Sequence, residues 1–466
     1  MFTKGKVLAC LVGIAPLLLT PTVGSADEQL QLTTIVSLPD GQLLRSFDIS
    51  FVDPRSHTYA LAASGTVDGT TGPATNPRII IVDTRLNVVT QELNGGFAGA
   101  CSIPPNRDTF SGPNGVMVIE KGRNTDVWAA DGPIFNKSCD PTSGIKTPSN
   151  VKVIDLHTGV VKKVISTGGI RRADELCFNP RSDVVLVAND DTADNFITFI
   201  GEDSYKELGK IRFDGTDPNG ANLKADGIEQ CAFDHRDGKF YLSLPDVGGG
   251  TPGVGGSTGH DGAVVRISGK APFKVEAVFP IAAATGCLGP QGLSVGPAHQ
   301  LALGCGGAST NSLIIDDRNG GTITIVAGQG GTDEDWYNPG SNHYYFARST
   351  PKALGVEDAG PPPSADPTVS TASGSHSVAA DPIRNQVYVP IRGNAATHPT
   401  PGTSTVCSSG KDVFGNPGSD ALGCIAVYTA PNDADDCIAE GSPVVRVNED
   451  GDPEFLKGRC RDHDRD

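Results

Sequence analysis

The sequence predicts an all-β fold, a seven-bladed β-propeller with four-stranded antiparallel blades, and three observations predict it. With 58 Gly and 34 Pro in 466 residues, helices have little room. Short Val/Ile/Thr/Tyr runs recur between Gly, Asn and Asp turns, as strands of an antiparallel fold do. One two-hairpin unit also returns seven times along a chain longer than a usual single domain, which is the mark of a repeat architecture.

The first hairpin of the unit is clearest at residues 47–54 (FDISFVDP) followed by 58–62 (TYALA). A near copy lies at 376–382 (HSVAADP) followed by 386–389 (QVYV). Further copies begin at Asp174, Glu229, Gln291 and Asp333. In these six copies a polar residue stands five positions before an Asp, Asn or Gly turn residue. Asn114 starts a seventh copy with a longer hairpin. The second hairpin is an apolar strand, a polar turn and another strand, as in 151–155 (VKVID) before 160–164 (VVKKV). A four-stranded sheet cannot bury both faces alone, and radial packing lets each sheet cover its neighbour. The starts at Asp48, Asn114, Asp174, Glu229, Gln291, Asp333 and His376 suit blades with variable loops. The segment 30–36 (LQLTTIV) resembles an outer strand, so it is expected to pair with 424–428 (CIAVY), closing the ring and hiding an edge.

Residues 1–26 read as a secretory signal peptide: Lys4 and Lys6, an apolar run over 7–19, and small residues before Asp27. No later stretch approaches the ~20 apolar residues of a membrane span. The expected organisation is a signal peptide at 1–26, the propeller at 27–447 and an acidic tail at 448–466, in a secreted or periplasmic monomer. Removing two lysines takes the formal charge from −17 to −19, which argues against nucleic acid and anionic membranes as partners.

Ten of the eleven cysteines remain after cleavage, an even number for an oxidising compartment. The absence of CxxC and CxxCH spacings removes thioredoxin and haem readings, and no nucleotide motif occurs. Cys101 and Cys139 flank the blade-two hairpin symmetrically, and Cys287 and Cys305 flank that of blade five. Cys177 and Cys231 occupy adjacent inner strands and point toward their shared interface. Cys407–Cys424 and Cys437–Cys460 follow by elimination.

Residues 381–389 (DPIRNQVYV) resemble the turn and strand of YVTN-type propeller repeats, and 153–161 (VIDLHTGVV) resembles their second hairpin. The starts 113–116 (PNGV) and 290–293 (PQGL) are similar to those of NHL and SMP-30/gluconolactonase-like propellers. The resemblance covers nearly the whole mature chain and implies architecture. Propellers host hydrolases, lyases, redox enzymes and binding scaffolds.

The seven starts should form a ring at the channel mouth, with Glu175 and Glu334 beside it. Crowded carboxylates either share protons or are neutralised by a cation. Oxygen donors from Asp48, Asn114, Asp174, Glu229 and Asp333 suit Ca²⁺ or Mg²⁺, while one His leaves Mn, Fe or Zn open. Such a cation would polarise a carbonyl or a water, with His376, Glu229 or Asp174 as general base. In SMP-30-like proteins a metal on acid and amide side chains serves lactone hydrolysis, so the resemblance implies a small lactone or ester as substrate. The alternatives are a polar, water-filled tunnel and a surface module binding a protein or glycan. Trp336 and Tyr337 read as core or as a ligand wall, His343 as structural, and the Gly-rich run at 247–259 as a loop. No GxSxG elbow occurs.

Overall fold

The computed structural model describes residues 30–65, 76–100, 110–122, 124–137, 139–190, 195–248, 262–394 and 404–429, with the backbone of Val444–Val447 and Pro453–Leu456. The expected signal peptide, residues 249–261 of the Gly-rich segment and Cys101, Cys437 and Cys460 lie outside these residues.

Seven four-stranded sheets are arranged as blades. Blade one runs from the channel outward through Ser50–Asp53, Thr58–Ala63, Arg78–Asp83 and Val88–Leu93. The inner strands of blades two to six are Val116–Lys121, Ala173–Asn179, Cys231–Asp234, Ser294–Val295 and Thr332–Asn338. Blade seven consists of Ala379–Asp381, Gln386–Arg392 and Gly423–Thr429, and its outer strand is the N-terminal Gln31–Val36. That strand pairs antiparallel with Gly423–Thr429, with Val36 opposite Ile425, so the ring closes as the sequence predicts. Among the described residues the helical content is small: Val406–Ser409 is the α-helix. Among the described residues no helix is long and apolar enough to cross a membrane.

The blade turns explain the recurring Asp and Asn. The Asp381 carboxylate accepts the amides of Ile383 and Arg384, and Asp234, Asn179 and Asn338 cap Arg236, Arg181 and Gly340 in the same way. Each cap turns the inner strand back into the second one. The second strands are buried along their whole length, as in Thr58–Ala63, or along all but their first residue, as in Gln386–Arg392, because neighbouring blades cover both faces. Tyr59 of blade one stacks on Tyr388 of blade seven at 5.0 Å, and Phe199 of blade three on Phe273 of blade four at 3.8 Å. These dry seams supply the hydrophobic stabilisation of the ring.

Three expected disulfides are formed: Cys177–Cys231, Cys287–Cys305 and Cys407–Cys424, with Cα separations of 5.9, 5.3 and 5.9 Å. The first ties the inner strands of blades three and four. The boundary expected at 447/448 falls within a small hairpin, because Val444–Val447 pairs with Pro453–Leu456.

Candidate functional site at the channel mouth

The inner strands all begin at one end of the channel, so their first polar side chains converge. Asp48, Asp174, Glu229, Gln291, Asp333 and His376, six of the seven predicted ring positions, line one cavity of about 370 Å³. Glu175 and Glu334 border it as well. Blade two approaches closely because residue 115 is glycine: a Cβ there would lie 1.9 Å from the Asp174 carbonyl oxygen.

The seventh ring position differs. Asn114 is fully buried and outside the cavity wall. Its amide donates to the carbonyls of Ser111 and Ala173, at 2.9 and 3.0 Å, and its Oδ1 accepts the Ser111 hydroxyl. Its polar atoms are spent on joining blades two and three rather than offered to a ligand.

A residue outside the predicted ring supplies a positive charge. Arg172 Nη2 lies 2.9 Å from Asp174 Oδ2 and 3.2 Å from Asp190 Oδ2, and Nη1 lies 3.7 Å from Asp48 Oδ2. Burial opposes its charge, yet these carboxylates raise its affinity for the proton well above the usual arginine value. The signal was present in the sequence, since residues 172 and 174 share one face of an extended strand. His376 supplies the second charge. Its Nδ1 stands 2.9 Å from Asp333 Oδ2 and 3.9 Å from Asp48 Oδ1, its Nε2 lies 3.2 Å from the Phe47 carbonyl, and its ring stacks on Phe47. Burial disfavours the imidazolium, but Asp333 and then Asp48 outweigh it and push His376 up to about 9. At neutral pH it therefore carries both ring protons and donates. The same pairing overrides burial at Asp333 and holds that carboxyl below its ordinary range.

The remaining acids go the other way. Burial, then the charges of Asp174, Asp48 and Glu229, drive Glu175 well above the ordinary carboxylate range. Glu229 and Glu334 rise for the same first reason, reinforced by Asp190 and by Glu175 respectively. Asp174 also rises through burial, against the pull of Arg172. Burial thus favours protons on Glu175, Glu229 and Glu334, while Arg172 and His376 pair with Asp174, Asp190 and Asp333 from within the protein.

Oδ1 of Asp174 and Oε1 of Glu334 are buried in the wall without a hydrogen-bond partner. One ligand atom each from Asp48, Glu334 and His376 lie within 4.8 Å of one another. Two carboxylates and an imidazole form a donor set that fits a divalent cation. Of the expected ligands, Asp48 belongs to this group, Asp174, Glu229 and Asp333 line the same cavity, and Asn114 stands apart.

With this geometry in hand, the chain was compared with known proteins. No family model matches it, and no curated protein matches it. Among solved structures it is similar to a chain of a mitotic checkpoint complex, with 11% sequence identity, 83% of this chain and 96% of that chain covered, and a TM-score of 0.51. The likeness shows the fold alone. A chain of Kuenenia stuttgartiensis hydrazine synthase superposes with 13% identity, 67% and 83% coverage, and a TM-score of 0.46.

Other residues singled out from sequence lie apart from the ring. His343 sits in blade six between the Ser341 carbonyl and Asp366, whose Oδ2 lies 2.7 Å from Nε2, a structural pairing. Trp336 and Tyr337 border a second cavity, toward the other end of the inner strands.

Proposed function

We propose that this chain is an exported propeller whose channel-mouth ring binds a divalent cation and hydrolyses, or cleaves by elimination, a small lactone or ester. The observation that carries the reading is the pair of buried, unpartnered carboxylate oxygens, on Asp174 and Glu334, facing a cavity walled by six blades. The motif resemblance to SMP-30-like propellers points the same way.

In this reading Asp48, Glu334 and a deprotonated His376 hold the cation, aided by Asp174 or Glu229. When bound, the cation polarises a substrate carbonyl or a water. Glu229, kept protonated by burial, is placed to donate to the leaving oxygen. His376, taken up by the cation, is then not the base; Asp333, released from its pairing with the imidazole, accepts the proton of the attacking water in this reading. Asp174 is positioned by Arg172 and orients the wall.

A second reading, a non-catalytic module that binds a protein or glycan through its loops, is favoured by one observation. Arg172 and His376 already balance part of the acidic charge from within. Elemental analysis of the purified protein, melting with and without chelator, and turnover of a panel of small lactones and esters with Ca²⁺, Mg²⁺, Mn²⁺ or Zn²⁺ decide between them. Bound metal, a chelator-sensitive melt and turnover lost in Glu229→Gln support the hydrolase. No metal, no shift and no turnover leave the binding module.

A further inference from the structure

The channel has a second chamber at the opposite end of the inner strands, with different chemistry. It measures about 470 Å³, inside the range of small-molecule sites. Three or four residues beyond each ring position, the inner strand presents an apolar side chain to it: Phe51, Val118, Phe178, Val295 and Trp336, with Ala232 and Ala380 completing the circuit. Phe51, Phe178, Trp336 and Tyr337 are only half buried. Blade seven contributes just Ala380 from this level, and Trp336 of blade six reaches Phe51 of blade one edge-on at 5.6 Å.

Several polar groups of this wall are engaged, while Ser294 Oγ and Asp335 Oδ1 are buried without a hydrogen-bond partner and Glu175 borders this chamber as well as the acidic ring. Gln230 Oε1 accepts the amide of Leu293 at 2.6 Å and that of Asp335 at 3.3 Å, while its Nε2 donates to the Asp335 carbonyl. Arg55 pairs with Glu120 at 3.1 Å, and Asp335 Oδ2 accepts the Gly304 amide. What the wall offers inward is therefore mostly apolar and largely aromatic surface, with a few polar groups among it. Pro54, Pro180, Pro339 and Pro382, each following an inner-strand turn residue, fix the rim and pre-form the opening. Half-exposed aromatic rings around a half-open volume gain from an apolar guest that displaces water from them.

We infer that this lower chamber is a binding site for a small, uncharged aromatic or alicyclic molecule, distinct from the acidic ring although Glu175 borders both. The structure supplies its own reporter. The chain has two tryptophans; Trp128 is completely buried in blade two, and Trp336 faces the chamber.

The test uses the mature chain and the uncharged probe N-phenyl-1-naphthylamine. Saturable one-to-one binding is expected, with blue-shifted probe emission and quenching of tryptophan emission that is largely lost in Trp336→Phe. Ala232→Trp and Val295→Trp, on two different blades, fill the chamber and should weaken the probe at least about tenfold. Asp333→Asn and chelator should leave its affinity within about twofold, so failure here is distinct from failure of the ring reading. Absence of saturable binding to the native chain overturns the site. So does undiminished affinity in either filled variant that melts cooperatively.

Discussion

Two acidic clusters in this protein use the same residue types and reach opposite outcomes. On the outside, Asp183, Glu202 and Asp203 bring carboxylate oxygens within 4.8 Å of one another, and Lys121 reaches all three at 3.2, 2.7 and 2.6 Å. At the channel mouth, Arg172 gathers Asp174, Asp190 and Asp48 in a comparable way. The Asp203 side chain is 69% exposed, whereas that of Asp174 is 3% exposed. Water screens the first cluster and leaves an ordinary surface network. Exclusion of water turns the second into a place where protons, guanidinium and imidazolium must all be held in position. Enclosure, not acidity, makes the candidate site.

The largest expected effect follows from removing the buried cation. Arg172→Met leaves Asp174 and Asp190 facing each other in low dielectric, and breaking such a pair costs about 3–5 kcal/mol. Denaturant titration at neutral pH should show a loss of that order. A loss below about 1 kcal/mol would mean that the ring is as well screened as the surface cluster, and the contrast would collapse.

The His376–Asp333 pair predicts a smaller effect with a definite sign. The folded imidazole titrates at about 9 against an ordinary value of 6.5. Its stabilisation is therefore complete below about pH 6.5 and disappears as pH rises through 9. The ceiling is ~3 kcal/mol at ~1.4 kcal/mol per unit. Melting temperatures should fall between pH 6.5 and 9.5 in the native chain, and His376→Gln should flatten that slope. An identical slope in the variant would assign the titration elsewhere.

A third prediction concerns the protons on the ring. Burial raises Glu175, Glu229 and Glu334, so a divalent cation entering the cavity must displace protons. Calorimetry in buffers of different ionisation enthalpy should detect proton release. Affinity should strengthen as pH rises across neutrality. Glu334→Gln should weaken binding about tenfold, or ~1.4 kcal/mol, while Asp203→Asn should leave it unchanged. A loss in Asp203→Asn with none in Glu334→Gln would place the cation on the surface cluster instead.

How much of this was legible in the sequence follows from what local rules reach. The blades were legible because the Asp or Asn that turns five of the seven inner strands acts within two or three residues, as Asp381 does on Ile383 and Arg384. Ring closure was legible because an apolar N-terminal strand needs a partner. The three bridges followed from strand alternation, hairpin symmetry and elimination. The convergence of Asp48, Asp174, Glu229, Gln291, Asp333 and His376 followed from blade geometry alone. Asn114 was misjudged because its alignment with the other starts says nothing about the blade-three carbonyl that captures its amide. Arg172 lies just before the strand Ala173–Asn179, and its pairing with Asp174 is not marked by the repeat that aligns the blade starts. Protonation states depend on summed burial and long-range charge, which no single segment encodes.

The smallest expected effect closes the contrast from the other side. The Lys121 side chain is 42% exposed, and its three partners hold its charge above the ordinary lysine range only against a background of water. Lys121→Met should cost about 0.2–1 kcal/mol, the range of exposed ion pairs. Much of even that should vanish in ~0.5 M salt, where the Debye length falls below the ~8 Å of physiological conditions. More of the Arg172→Met loss should persist in the same salt, because its nearest partner, Asp174, is withdrawn from water. A salt titration of the two variants side by side therefore separates geometry from environment. Parallel curves would show that water and ions reach the ring freely, and a site defined by their exclusion would no longer be tenable.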